Sequence, residues 1–491
     1  MSIAVDHIEA KTSLPEPGQL IGGEWVTTTT GESLRRVDPS TNELLLEFPA
    51  AGQKEVDDAV RAARLAFPAW KRTPVNERRG ILLTIARLLS ESDEQMKTIV
   101  ALETGSPRSV FSVAPAVDWW EYYAGWADKF AGELNHGYPG RSLSYTRYEP
   151  YGVIGALIPW NGPLNVAAMK LAPALAAGNC VVLKTPELSP FAVMRLAQIC
   201  AEAGLPAGVL GVLNGGRSVS KAIIDHPDVK KVSFTGGPST GTQIMARAAE
   251  TLTPVVMELG GKSANLIFAD ADLDSATLMS TMMGAVLGAG QGCLFPTRLL
   301  VQDTVYDDVI ARVQAIAENA PLGDPLDLTK VMGPVIGEVA FDRIMDYIEI
   351  ARNDGSSRLV TGGKRVGGDL QNGFFIEPTI FADVDNSSRI AQEEIFGPVL
   401  SVIKFHDEAE AVSIANDSTF GLGAYLHTQD VARAHRVADD LDAGWVGINS
   451  FPPLNPTSPF GGVKSSGFGR EGGRAGIEEY VHHKSISVPI D

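Results

Sequence analysis

Between residues 152 and 250 the chain alternates between two kinds of segment, and that alternation restricts the fold more than any other feature. The runs GVIGALI (152–158), CVVLK (180–184), GVLGVL (208–213) and KKVSFTG (230–236) are short and rich in β-branched residues. Between them lie helix-like stretches such as SPFAVMRLAQICAEAG and PSTGTQIMARAAE. Strands separated by helices at roughly 25–30 residues imply βαβ units, hence a parallel, doubly wound sheet. A second α/β series starts near Ser263 with ANLIFAD, DLDSATLMSTMMGAVLGAG and RLLV, and continues through PVLSVIKF and AGWVGINS. Upstream, EVDDAVRAARLAFPAW and RRGILLTIARLLSESDEQMKTIVALETG place apolar residues at three- and four-residue spacing, with Gly105 just past the end. The stretch from Asp324 to Asp383 is rich in Gly, Asp and Asn and reads as loop-laden. Two lobes are expected, with an irregular arm around Gly132–Pro150 and a tail beyond Gly472.

Charge and cysteine usage narrow the setting. A net charge of −18 over 491 residues repels phosphate backbones and acidic membrane surfaces, so neither nucleic acid nor membrane is an expected partner. The three cysteines, Cys180, Cys200 and Cys293, form no CxxC pair, which argues against a disulfide framework and for a reducing, cytoplasmic setting. The amino-terminal MSIAVDHIEAKTSLPEPG has no apolar h-region. Tyr151–Met169 is uncharged for 19 residues, but its three Gly and two Pro would break a membrane helix. It reads as a buried strand followed by a functional turn.

Several standard sites fail on their residues. No GxGxxG follows a strand, and no GxSxG elbow occurs. GGKS at 260–263 lacks the first glycine of a P-loop, because Val256 stands in its place. The eight His include no HExxH, so no metal site is expected.

Four features remain. Cys293 follows a Gly-rich turn, GAGQGC, whose backbone lets a ligand approach; the alternative is a small core hydrophobe, which fits Cys180 and Cys200 better. Glu258 interrupts an apolar run, where burial would raise its pKa toward that of a general base; a paired carboxylate at a strand end is the plainer reading. Asn161, at the end of GVIGALI, carries an amide able to donate to an oxyanion, or is a turn-forming Asn before Gly. Glu394 and Phe396 precede a strand in EEIFGPV, as a site pair or as a surface acid and a core aromatic.

Together these elements resemble the aldehyde dehydrogenase superfamily from about Leu20 to the carboxyl terminus. The motifs are PWN (159–161), KTPE (184–187), FTGG (234–237), ELGGKS (258–263), GQGC (290–293), EEIFGPV (393–399) and SPFGGVKSSGFGRE (458–471). The resemblance implies two doubly wound α/β lobes, a Rossmann-like cofactor lobe and a catalytic lobe, plus a small β oligomerisation arm. Its boundaries would be 1–127 with 151–260 for dinucleotide binding, 261–474 for catalysis, and 128–150 with 475–491 for the arm. It implies Cys293 as nucleophile, Glu258 as general base, Asn161 with the Cys293 backbone N–H as oxyanion hole, and Lys170 as an aid to proton relay. For the cofactor it implies Lys184 and Glu187 at the adenosine ribose, and Gly236 and Gly241 under the pyrophosphate. Glu394 would hold the nicotinamide ribose and Phe396 the nicotinamide, with Ile158, Pro159, Trp160, Phe234 and Leu259 as further contacts. NAD is expected over NADP, because Glu187 would repel a 2′-phosphate.

The partner implied is a small-molecule aldehyde oxidised to a carboxylate, in a homodimer or homotetramer. Two departures stand out: proline comes one place later in KTPE than in the common KPxE order, and Phe295 replaces a usually small residue. The expected tunnel residues Gly162, Asn165, Val166, Met169, Leu294, Phe295, Leu454 and Phe460 suggest a bulky or hydrophobic aldehyde. The alternatives are an NADP user or semialdehyde dehydrogenase, a non-catalytic relative serving as a binding or structural protein, and a cysteine hydrolase of esters.

Overall fold

A computed structural model describes residues 3–452 and 454–490. In the first lobe, five parallel strands lie in the spatial order Leu210–Leu213, Cys180–Lys184, Val153–Leu157, Val229–Thr235 and Val255–Glu258. The three central or near-central strands Val153–Leu157, Cys180–Lys184 and Leu210–Leu213 are buried along their whole length, so their runs are apolar on both faces instead of alternating. The order reverses direction between Val153–Leu157 and Val229–Thr235, which opens a crevice beyond the carboxyl ends of these strands.

The chain leaves this sheet at Glu258 and enters the second at Ala264, so residues 259–263 bridge the lobes. The second sheet carries six parallel strands in the order Thr379–Ala382, Val399–Phe405, Arg298–Gln302, Ala264–Ile267, Gly423–His427 and Trp445–Ile448. Arg358–Thr361 closes one edge antiparallel. Gly467–Phe468, late in the chain, crosses back to pair antiparallel with Val255–Glu258. Each sheet is covered by apolar helix faces; Leu183, Leu266 and Val402 are fully buried, and each such side chain contributes roughly 1.5–3 kcal/mol.

The upstream helical region forms three helices, Gln53–Trp70, Val75–Glu91 and Asp93–Thr104. Gly105 ends the last with a left-handed φ of 78°, and a Cβ there would lie 2.6 Å from Pro334 of the other lobe. The stretch 324–383 is loop-laden, with more than half of its residues outside helix and strand, although it holds the helix Glu338–Asn353 and the strands Arg358–Thr361 and Thr379–Ala382. One expectation needs correction: the arm is not irregular throughout, because Ser142–Pro150 pairs with Val481–Pro489 in unbroken antiparallel register, with Leu134–Asn135 on its other edge. Among the described residues no helix is long and apolar enough to cross a membrane.

Candidate active site

The site starts from strand register. Leu157 is level with Lys184 and Phe234, Lys184 with Leu213, and Thr235 with Glu258. The segments that follow, 158–162, 185–187, 236–237 and 259–261, therefore emerge side by side at one rim. Facing them are the amino ends of second-lobe strands: the turn carrying Cys293 runs into Arg298–Gln302, and Glu394–Phe396 into Val399–Phe405. A cavity of about 170 Å³ lies between. Pro159, Trp160, Asn161, Gly236 and Leu259 line it from the first lobe, and Cys293, Glu394 and Phe396 from the second.

Cys293 is half-buried, unlike the fully buried Cys180 and Cys200. Burial, with the negative charge of Glu258 and Glu394, holds its thiol well above the ordinary range. Asn161 donates one amide hydrogen from Nδ2 to the Gln291 carbonyl at 3.0 Å, two residues before the thiol. Glu258 is 2 % exposed, and burial with the neighbouring charge of Glu471 raises its pKa to about 8, against the pull of Lys170. The Gly462 N–H donates to Glu258 Oε1 at 3.2 Å. Lys170, also buried, does not bond Glu258: its Nζ donates to Glu471 Oε1 at 2.8 Å and to Ser233 Oγ at 2.9 Å. Lys170 thus reaches Glu258 through the field of a buried acid–lysine pair.

At the same first-lobe rim, Lys184 Nζ donates to Glu187 Oε2 at 2.9 Å. Ser189 Oγ donates to the Trp160 carbonyl at 2.9 Å, tying the 185–190 loop to the PWN turn. Gly236 and Gly237 introduce the helix Pro238–Glu250 with no side-chain cap, and a Cβ on Gly237 would meet nothing within 4 Å. Gly241 packs so tightly on Leu259 that a Cβ would lie 2.8 Å from its Cδ2. Glu394 accepts the Gly261 N–H at 2.9 Å, and burial raises its pKa while that N–H and Lys262 lower it. Trp160 and Phe396 meet edge to face at 5.3 Å. Ile158 and Phe234 are buried below the rim instead of lining the cavity, the Phe234 ring lying under Gly236.

An open, side-chain-free turn at a helix amino end, with a carboxylate in the cavity at Glu394 and another at the strand rim at Glu187, supplies features a dinucleotide uses. Thr235 Oγ1 adds a buried hydroxyl at the cavity with no protein partner. The residues present fit such a cofactor.

Sequence reasoning missed Thr235, Arg343, Glu471 and Tyr425. Thr235 and Glu471 sit inside quoted motifs, FTGG and SPFGGVKSSGFGRE, but carried no role there. Arg343 lines the cavity and donates to the Ile395 carbonyl at 2.9 Å. It lies on a helix whose buried Phe341, Ile344, Ile348 and Ala351 show the three- and four-residue spacing that would have revealed it. Tyr425, fully buried, donates to the Leu294 carbonyl at 3.0 Å, next to Cys293.

Comparison with known proteins agrees with this geometry. Residues 25–486 match the model of the aldehyde dehydrogenase family. The chain is similar to an aldehyde dehydrogenase of Emericella nidulans, 41 % identical over 96 % of this chain and 94 % of that protein. It is 40 % identical to a betaine aldehyde dehydrogenase of Sinorhizobium fredii over 96 % of this chain and 97 % of that one. Among solved structures, betaine aldehyde dehydrogenase of Staphylococcus aureus in complex with NAD+ superposes with a TM-score of 0.94 at 35 % identity, covering 98 % and 96 % of the two chains. Indole-3-acetaldehyde dehydrogenase of P. syringae, in complex with NAD+ and IAA, superposes with a TM-score of 0.95 at 36 % identity and 99 % coverage of both. By sequence and by fold, this chain belongs to the aldehyde dehydrogenase family.

Proposed function

We propose that this enzyme oxidises an aldehyde to a carboxylate with NAD, through a covalent adduct on Cys293. The observation that carries the reading is the meeting of Cys293, from one lobe, with Asn161, from the other, in a single cavity flanked by Glu394 and backed by the buried Glu258. The Cys293 thiol gives its proton to solvent water, and the sulfur adds to the carbonyl carbon, giving a hemithioacetal whose oxygen carries the negative charge. The second amide hydrogen of Asn161 and the Cys293 backbone N–H stabilise that oxygen, each such donor being worth about 2.7–4 kcal/mol. NAD, when bound, supplies the hydride acceptor, and the adduct is left as a thioester. Glu258, in its ionised form, then takes a proton from water; the resulting hydroxide displaces the Cys293 thiolate and releases the carboxylic acid, which ionises. Lys170, paired with Glu471, keeps a positive charge near Glu258 and holds the base from rising further.

Glu187, steadied by Lys184, offers a carboxylate to the adenosine ribose hydroxyls and disfavours a 2′-phosphate, so NAD is the cofactor of choice. The NAD+ complexes of two similar structures support this. Lys184, Glu187, Gly236, Gly241, Glu394 and Phe396 would hold it, with Ile158, Pro159, Trp160, Phe234 and Leu259 shaping the walls.

A bulky or hydrophobic aldehyde suits the far side of the nucleophile turn. Tyr425 stacks on Phe451 at 4.6 Å, Phe295 meets Phe451 edge-on at 6.3 Å, and Trp445 meets Phe460 at 5.9 Å. A Cβ at Gly162 would touch only Val166, at 3.9 Å, so that wall is open. The same reading assigns 1–127 with 151–260 to cofactor binding, 261–474 to catalysis, and 128–150 with 475–491 to assembly as a homodimer or homotetramer. The outer strand Val481–Pro489 has one unpaired edge, beside exposed Leu143, Val488 and Ile490. The unpaired cysteines suit a cytoplasmic setting.

Absorbance at 340 nm with NAD or NADP and a panel of aldehydes tests the activity. NADH formation with a higher kcat/KM for benzaldehyde than for acetaldehyde is expected. No reduction with any aldehyde would overturn the function, and a preference for acetaldehyde would overturn the substrate class.

A further inference from the structure

The turn that presents Cys293 is strained and is held from outside. Gly288, Ala289 and Gly290 have φ values of 57°, 51° and 70°, three successive left-handed residues of which one carries a Cβ. Such a turn relaxes unless its surroundings over-determine it. Gln291, next in line and 7 % exposed, spends its carboxamide on that task. Its Nε2 donates to the Gly288 carbonyl at 3.0 Å, and its Oε1 accepts the Ile336 N–H at 2.9 Å. Its own backbone carbonyl accepts the Asn161 amide.

Ile336 is gripped in turn. Its carbonyl accepts from Arg36 Nη2 at 2.9 Å, and Arg36, 2 % exposed, also donates through Nε to the Glu103 carbonyl at 3.2 Å. The Glu103 carboxylate accepts the N–H of Phe191 at 2.6 Å and of Ala192 at 3.1 Å, at the start of the helix that follows the Glu187 loop. A chain of hydrogen-bonded residues therefore runs from the first turn of the helix Phe191–Glu202, through Glu103, Arg36, Ile336 and Gln291, to the Cys293 turn.

We infer that Gln291 and Arg36 are positioning residues, Arg36 acting through Ile336 on Gln291 to hold the Cys293 turn and the Asn161 amide in catalytic register. The inference rests on the reading of Cys293 as nucleophile and Asn161 as oxyanion donor. A carboxamide of this length supplies the donor and the acceptor together; an ionised Glu supplies only the acceptor, and Met fills the space with neither. Loss of register weakens transition-state stabilisation while leaving the sulfur exposed to a small alkylating agent.

The test uses the full-length enzyme with saturating NAD and an active aldehyde. Gln291→Met should slow the NADH burst by about 10- to 100-fold, with the KM for NAD and the rate of Cys293 alkylation by iodoacetamide kept within about twofold. Gln291→Glu, which keeps the acceptor for Ile336, should fall between wild type and Gln291→Met. Arg36→Lys keeps the charge but loses the two-carbonyl fork, and should give the same signature at smaller size; Arg36→Lys combined with Gln291→Met should be no slower than Gln291→Met alone. An unchanged burst in Gln291→Met would overturn the proposal. So would losses that multiply in the double variant, or alkylation and KM that deteriorate in step with the burst. Should Arg36→Lys fail to fold, the two Gln291 variants decide. Wild-type enzyme whose substrate adduct lies elsewhere than Cys293 would instead remove the underlying reading, whatever the variants do.

Discussion

On the first-lobe wall of the cavity, Asn161, Gly236 and Leu259 each follow the end of a regular strand, and Lys184 ends a neighbouring strand at the same rim. On the second-lobe wall, Cys293 follows three left-handed residues, and Phe396 itself has a φ of 56°. The first wall inherits its geometry from a hydrogen-bonded ladder that would exist without any function. The second departs from regular backbone, at roughly 1–2 kcal/mol for a left-handed residue with a Cβ, and relies on contacts from distant segments. Asn161, Ile336 and Tyr425 supply those contacts. On the proposed reading the strained wall supplies the nucleophile Cys293, while the regular wall supplies the cofactor turn together with Asn161 and, at a strand end, Glu258. Variants of Cys293 and Glu258 should change chemical rate, and a variant of the Lys184–Glu187 pair should change NAD affinity.

The largest separation is expected from Cys293→Ala. Turnover should fall by on the order of 10⁴-fold or more, while NAD binding by calorimetry stays near wild type. Residual turnover close to wild type would erase the distinction between the walls. Glu258→Gln should come next. A burst of NADH close to one per site should persist, followed by steady-state turnover reduced by roughly 10²–10⁴-fold. The pH profile sharpens this prediction. Because burial and Glu471 raise Glu258 to about 8, the base is protonated below that value, and wild-type thioester hydrolysis should rise as pH passes through about 8. That rising limb should vanish in Glu258→Gln, as followed by stopped-flow and steady-state rates; a variant that loses burst and turnover together would remove Glu258 from hydrolysis.

The smallest effect belongs to the regular wall. Lys184→Ala frees Glu187 from its 2.9 Å partner and should raise the KM for NAD by about tenfold with little change in kcat. A fall in kcat as large as that from the strained wall would blur the comparison.

The same contrast explains what was legible in the sequence. Regular strands announce themselves: CVVLK and GVIGALI are buried on both faces, so nothing interrupts their apolar runs, and the residues at their ends could be located by counting. The strained turn is hidden inside DLDSATLMSTMMGAVLGAG, which reads as one helix although the α-helix ends at Thr281 and is followed by a π turn at Met282–Val286. Nothing local marks the left-handed backbone at Ala289; its neighbours are held from outside the run, Gly290 packing against Gly397 and the Gly288 carbonyl accepting from Gln291. The helix Glu338–Asn353 was obscured by flanking Gly and Asp, and Arg343 was lost with it. The arm strand SLSYTRYEP carries polar residues throughout because most of it is only half-buried, so its alternation is faint. Pairwise bonds between distant segments, such as those of Gln291 with Ile336 and with Asn161, have no sequence signature.

Intact-protein and peptide mass spectrometry of enzyme quenched during turnover, with Glu258→Gln used to let the thioester accumulate, tests the central claim most directly. A mass increase equal to the acyl group of the substrate, mapped to the peptide containing Cys293 and absent when NAD is omitted, is the expected result. An acyl group mapped to any other side chain, or turnover with no acylated protein at any time, would contradict it.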